Sequence, residues 1–159
     1  MRGSKGVYLL KELKKKLRII STSPEPFRDR QEAGRLLAAE LAGYKGKNTV
    51  VLGIPRGGIA VAYEIALLLG ASLDIVLSHK LGAPGNPEFA IGAVSENGKL
   101  FLDEGSLLGL TVSDDYIAKE KEYRLTEMKE RVKRYRKIRP KVALSDKTVI
   151  VADDGIATG

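Results

Sequence analysis

A chain of 159 residues that is 43% hydrophobic has enough apolar side chain for one compact domain with a true core, and not enough for two. It has no cysteine and a single histidine, His79, which excludes disulfides, thiolate nucleophiles and cysteine- or histidine-built metal sites and favours a cytoplasmic setting. The net charge of +7 is uneven: residues 1–20 hold seven bases against one acid and residues 129–141 eight against one, so the remainder is acidic, and no stretch is apolar enough to span a membrane.

Residues 1–26 read as a basic leader and linker, and residues 27–159 as the domain. Leu10, Leu13, Leu17 and Ile20 recur among lysines at a spacing that predicts a short amphipathic basic helix, with no uninterrupted apolar run to suggest a signal peptide. After the Ser- and Pro-rich stretch 21–26 comes Phe27-Arg28-Asp29-Arg30, then a helix over 31–42 with Ala33, Leu36, Leu37, Glu40 and Leu41 at helical spacing and Gly43 as its stop. The apolar run 49–54 predicts a buried strand that ends in Pro55-Arg56-Gly57-Gly58. A helix over 59–69 stops at Gly70, and a strand over 73–77 leads through Ser78-His79-Lys80 into a loop, Leu81-Gly82-Ala83-Pro84-Gly85-Asn86-Pro87-Glu88.

Two apolar segments, 90–94 and 99–102, flank Asn97-Gly98, a strong hairpin signal. Ser113 caps a long helix running to about Ile138, acidic in its first turn and basic in its last, with Ile117, Leu125, Met128, Val132 and Tyr135 as its core stripe. Pro140 closes it, and the last strand is 147–152. This order predicts an α/β domain of doubly wound, parallel type with a β-hairpin insertion, whose ligand sits beyond the carboxyl ends of the strands. If strands 49–54 and 147–152 are neighbours, the loop 55–58, Lys80 and residues 153–159 converge there.

The last segment carries most of the chemistry: a buried strand, then Asp153-Asp154-Gly155-Ile156-Ala157-Thr158-Gly159. Paired carboxylates accept from sugar hydroxyls, and a small-residue turn presents backbone N–H groups to an anion. A strand ending in a solvated acidic turn is the blander reading. The segment closely resembles the phosphoribosyl pyrophosphate (PRPP) motif of the type I phosphoribosyltransferases. Together with Phe27-Arg28-Asp29-Arg30-Gln31-Glu32-Ala33-Gly34, the Arg56 loop and the segment 80–88, it is similar to a bacterial and archaeal group of phosphoribosyltransferases of unestablished acceptor.

The resemblance implies Mg²⁺-dependent transfer of the phosphoribosyl group from PRPP to a small nitrogenous acceptor of nucleobase type, with release of pyrophosphate. Asp153 and Asp154 would hold the ribose hydroxyls and, through water, Mg²⁺. Gly155, Ile156, Ala157, Thr158 and Gly159 would hold the 5′-phosphate, and Arg56, Gly57, Gly58 and Lys80 the pyrophosphate, with the segment 80–88 as a mobile cover or an acceptor-side loop. Asp153, Asp154, Arg56 and Lys80 would be the catalytic set. His79 stands where the group more usually has arginine, and would make phosphate affinity fall with rising pH if it faced the site; a satisfied loop histidine is the equal alternative. Ala157 replaces an aspartate of the 6-oxopurine enzymes and disfavours that substrate class. Members of the family continue beyond this motif into a phosphate-facing helix, so the chain is expected to be truncated there, a fragment, or completed by a partner. Two other functions fit parts of the pattern: a non-catalytic module sensing PRPP or a nucleotide, and a nucleic-acid binder using the basic helix. Nucleic acid is the less favoured partner, and a homo-oligomer is open to the chain.

Overall fold

The computed structural model describes residues 18–156. Most of the leader helix expected from Leu10 to Ile20 lies outside the described residues, as do Ala157, Thr158 and Gly159, and its described end, residues 18–20, is exposed and not helical. Two three-stranded sheets organise the rest. The first is parallel, in the order β2 (Ser72–Ile75), β1 (Thr49–Gly53), β6 (Thr148–Ala152), with Val51 opposite both Leu73 and Ile150. Every residue of β1 is buried, as a central parallel strand covered on both faces requires. Helix α2 (Gly58–Leu69) crosses from β1 to β2 and packs Val61, Ala62, Ile65, Ala66 and Leu69 with Val51 and Ala152. Gly70, at φ 64°, ends it by donating to the Ala66 and Leu67 carbonyls.

Helix α1 (Arg30–Glu40) lies against α2 through a glycine. A Cβ on Gly34 would stand 2.8 Å from Glu64 Cβ and 2.9 Å from the Val61 carbonyl oxygen, closer than side chains tolerate. The packed face is therefore Gly34, Leu37, Ala38 and Leu41, rotated from the expected Ala33 and Leu36 positions, and Leu36 is exposed. Gly43 is not the stop either: α1 ends at Glu40, and Gly43 falls inside a short 3-10 turn, Ala42–Tyr44.

The second sheet is antiparallel, β3 (Ser78–Ala83), β4 (Asn86–Ser95) and β5 (Leu100–Leu102) in that order. Here the expected loop 81–88 is corrected. Leu81 and Ala83 are buried, and the chain reverses at Pro84-Gly85, with Gly85 at φ 73°, so the segment is the end of one strand, a tight turn and the start of the next. The Asn97-Gly98 turn joins β4 to β5 as expected, with Gly98 at φ 80°.

A short helix α3 (Glu104–Leu107) precedes α4 (Asp114–Ile138), whose first turn is capped by Ser113 Oγ accepting from the Tyr116 amide. Met128 is buried against Leu77, Leu81, Ile91 and Val94, and Leu125, Val132 and Tyr135 pack beside it. Tyr116 joins that face rather than Ile117, and its hydroxyl donates to the Gly82 carbonyl at 2.9 Å.

Asp74 ties the two halves together. From β2 its buried carboxylate accepts from Arg136 Nη1 of α4 at 2.6 Å and from the Val142 amide at 2.8 Å.

Candidate functional site

β2 and β6 flank β1 on opposite sides, so strand order reverses between β1 and β6, and the crevice beyond their carboxyl ends is where such sheets bind ligands. The two strands stay joined past their ends: the Ile54 amide donates to the Ala152 carbonyl at 3.0 Å. Beyond that bond β1 delivers Pro55-Arg56-Gly57-Gly58, with a cis peptide between Pro55 and Arg56, and β6 delivers Asp153-Asp154-Gly155-Ile156.

The two turns touch through glycines. A Cβ on Gly58 would stand 2.8 Å from the Ala152 carbonyl oxygen and 3.0 Å from Asp153 Oδ1. One on Gly57 would overlap the Asp154 carboxylate and lie 2.6 Å from Arg30 Nε. Only glycine lets the acids come down onto this loop. The amides of Gly57 and Gly58 carry no hydrogen bond among the described residues, because Gly57 opens α2 without a side-chain cap. Free N–H groups at a helix start, with the exposed Arg56 beside them in sequence, are chemistry that can hold an anion.

Arg30 is the site residue that sequence reasoning missed. Its Nε donates to Asp154 Oδ2 at 2.7 Å. That guanidinium holds the Asp154 carboxyl below its ordinary value, so Asp154 is a carboxylate at neutral pH. Local chemistry fixes where Arg30 stands: Asp29 caps α1 by accepting from the Glu32 amide at 2.7 Å, and Glu32 reaches back to the Arg28 amide at 2.6 Å. The Asp29-to-Glu32 spacing was the available signal for a helix start, and it puts Arg30 at the first helical position. Asp153 turns inward on its own loop, its Oδ1 accepting from the Asp154 amide at 2.8 Å. Gly155 and Ile156 are exposed.

Lys80 is not brought to this cluster. It stands on β3 of the other sheet, and its ammonium pairs with Glu88 at 2.8 Å. No hydrogen bond or ion pair among the described residues joins it to Arg56, Asp153 or Asp154. His79 also looks elsewhere: Nδ1 lies 2.9 Å from the Lys80 carbonyl oxygen, and Nε2 is 4.0 Å from Glu127 of α4. The pH effect expected of a site-facing histidine has no geometric basis here. In the basic stretch 129–141, Lys133 pairs with Glu130, Arg136 with Asp74 and Lys141 with Glu96, so part of that charge is structural. Among the described residues, no helix is long and apolar enough to cross a membrane, and no cluster of three or more His, Cys, Asp or Glu could hold a metal ion.

The phosphoribosyl transferase domain family matches residues 28–159. Two Mycobacterium tuberculosis proteins from different strains, both provisionally named phosphoribosyl transferases, are 41% identical over 133 residues, which is 84% of this chain and 30% of theirs. The crystal structure of TT1426 from Thermus thermophilus is similar with a TM-score of 0.70 and 47% identity, over 85% of this chain and 64% of that one. The chain thus spans 30% of the length of the curated relatives it matches. With the parallel sheet, the acid pair at its carboxyl edge and a family match that takes in both, the chain belongs to the phosphoribosyl transferase domain family.

Proposed function

We propose that this chain binds PRPP with Mg²⁺ at the β1–β6 crevice and supports transfer of the phosphoribosyl group to a small nitrogenous acceptor, with release of pyrophosphate. The observation that supports this best is the contact of Asp154 with Gly57. It sets a hydroxyl-accepting carboxylate directly against a loop of free amides and a cation.

Asp153 and Asp154 would accept from the ribose 2′- and 3′-hydroxyls, and the turn from Gly155 onward, including Ala157, Thr158 and Gly159, would donate to the 5′-phosphate. Arg56 with the Gly57 and Gly58 amides would receive the pyrophosphate. Two neighbouring carboxylates without a third ligand fit a Mg²⁺ ion carried mainly by the substrate's own oxygens and by water, not a protein-built cage. When bound with PRPP, that ion would neutralise charge on the diphosphate. The acceptor nitrogen's lone pair forms the bond to the anomeric carbon while the carbon–oxygen bond to pyrophosphate breaks. Its electrons leave with the pyrophosphate, and the proton on nitrogen passes to water. No protein nucleophile is needed, so the residues act by positioning and by stabilising the departing charge. Lys80 would join only by exchanging Glu88 for the substrate.

Calorimetric titration with Mg·PRPP tests the reading. Replacing both acids, Asp153→Asn with Asp154→Asn, removes charge-assisted hydrogen bonds of roughly 1.5–3 kcal/mol each, so affinity should fall at least tenfold while circular dichroism stays that of the native chain. Unchanged affinity in the double variant would remove the acids from the site.

A further inference from the structure

We infer that Arg30 is a second arginine of the diphosphate subsite, supplied by helix α1 and facing the same ligand as Arg56. This rests on reading the 55–58 loop as the pyrophosphate subsite. The Arg30 side chain is 61% exposed, yet it is held in place at one end, with Nε on Asp154. Its two Nη groups carry no hydrogen bond among the described residues. A guanidinium gripped by Nε alone keeps its Nη donors in a fixed plane, suited to the paired oxygens of a phosphate.

The position of that plane is set by two glycines. Gly57 has the guanidinium over it, with Nε 2.6 Å from where a Cβ would be, so Arg30 lies over the residue that follows Arg56 in sequence. Gly34 seats α1 against α2, and α2 begins at that same loop, so the helix bearing Arg30 and the loop bearing Arg56 are packed as one unit. A diphosphate bound to the Gly57 and Gly58 amides would meet Arg56 from the loop and Arg30 from above. Lys80, the other cation expected there, is engaged with Glu88. The Asp154 contact also links the two ends of the substrate, since the carboxylate assigned to the ribose orients the cation assigned to the leaving group.

Inorganic pyrophosphate and ribose 5-phosphate, titrated separately into the native chain, Arg30→Ala, Arg30→Lys and Arg56→Ala, decide it. Arg30→Ala should weaken pyrophosphate about tenfold or more, with a smaller effect on ribose 5-phosphate, and Arg30→Lys should recover only part of the loss because it restores charge without the fork. Native thermal melts for the variants exclude unfolding as the cause. If Arg56→Ala weakens pyrophosphate but Arg30→Ala weakens only ribose 5-phosphate, Arg30 merely orients Asp154 and the inference is overturned. If pyrophosphate binding is indifferent to Arg56 as well, the subsite itself is misplaced, and the proposed function falls with the inference.

Discussion

The parallel half and the antiparallel half of this molecule are held together in different ways, and the candidate site follows only one of them. In the parallel half, glycines make room for neighbouring elements and their acids: Gly34 lets α1 down onto α2, and Gly57 and Gly58 let the acids of β6 down onto the loop after β1. In the antiparallel half, glycines close backbone on backbone, Gly92 on β5 and Gly82 on Pro87, and side chains bridge sheet to helix: Met128 fills the core under β3 and β4, and the Tyr116 hydroxyl ties α4 to β3. The glycines of the first half leave the Gly57 and Gly58 amides unpaired beside the two acids, whereas those of the second close a strand ladder. That difference puts the unpaired amides and the acid pair at the edge of the parallel sheet, and Lys80 with its Glu88 partner on the second.

The sharpest way to break this comparison is to cut the join between the halves. Burial pushes the Asp74 carboxyl up, but hydrogen bonds from Arg136, Val142 and Ile75 outweigh it and hold the carboxyl below its ordinary value. Asp74→Ala would strand Arg136, whose Nη2 is already buried without a partner, so a loss of about 3–5 kcal/mol in urea unfolding is expected. The pH dependence has a definite sign. A lowered folded value means that the contribution is complete above the unfolded carboxylate value, near pH ~4, and is lost as pH falls through the folded value. The native chain should therefore lose stability on acidification below that point more steeply than Asp74→Ala does. A loss under about 1 kcal/mol would show that the halves are joined by something else.

Paired glycine substitutions come next in size. A Cβ on Gly92 would overlap the Phe101 carbonyl oxygen, part of the β5 backbone, so Gly92→Ala must pry two strands apart and should cost about 1–3 kcal/mol. At Gly57 the new methyl meets the Asp154 and Arg30 side chains, which can swing into solvent, and Gly57 sits at φ −66°, where alanine is unstrained. Gly57→Ala should hence melt near the native temperature but lose Mg·PRPP affinity. Thermal melts and calorimetry on both variants separate the two outcomes. Equal stability losses would mean that the two halves are packed alike after all.

The same contrast explains what could be read from the sequence. The strands of the parallel half are apolar runs with polar ends, so 49–54 and 147–152 were legible, and their pairing carried the 55–58 loop to Asp153 and Asp154. Arg30 was not, because its partner lies 124 residues away and nothing local marks that contact. The face of α1 was misjudged because glycine, which scores as no core residue, is its closest contact with α2. The segment 81–83 looked like loop because Gly82 and Ala83 lack the branched side chains that mark a strand; their burial comes from β4 and from α4, through Tyr116 and its neighbours. Lys80 was expected at the site from topology as well as from resemblance, but the register of β3 puts it on the second sheet, paired to Glu88.

The smallest expected effect tests whether the antiparallel half can be weakened without touching the site. Ser113 Oγ accepts from the Tyr116 amide at 3.2 Å, satisfying one of the N–H groups that the start of α4 leaves without a helical partner. Ser113→Ala removes that acceptor and should cost about 1 kcal/mol. Tyr116 is also the residue whose hydroxyl reaches Gly82, so fraying of this turn should loosen β3 before any other strand. Hydrogen exchange should accelerate at residues 79–83 and stay unchanged at 50–53, with Mg·PRPP affinity unaltered. If the affinity fell along with protection in β3, the second sheet would be contributing to binding, and Lys80 would return to the list of residues that meet the substrate.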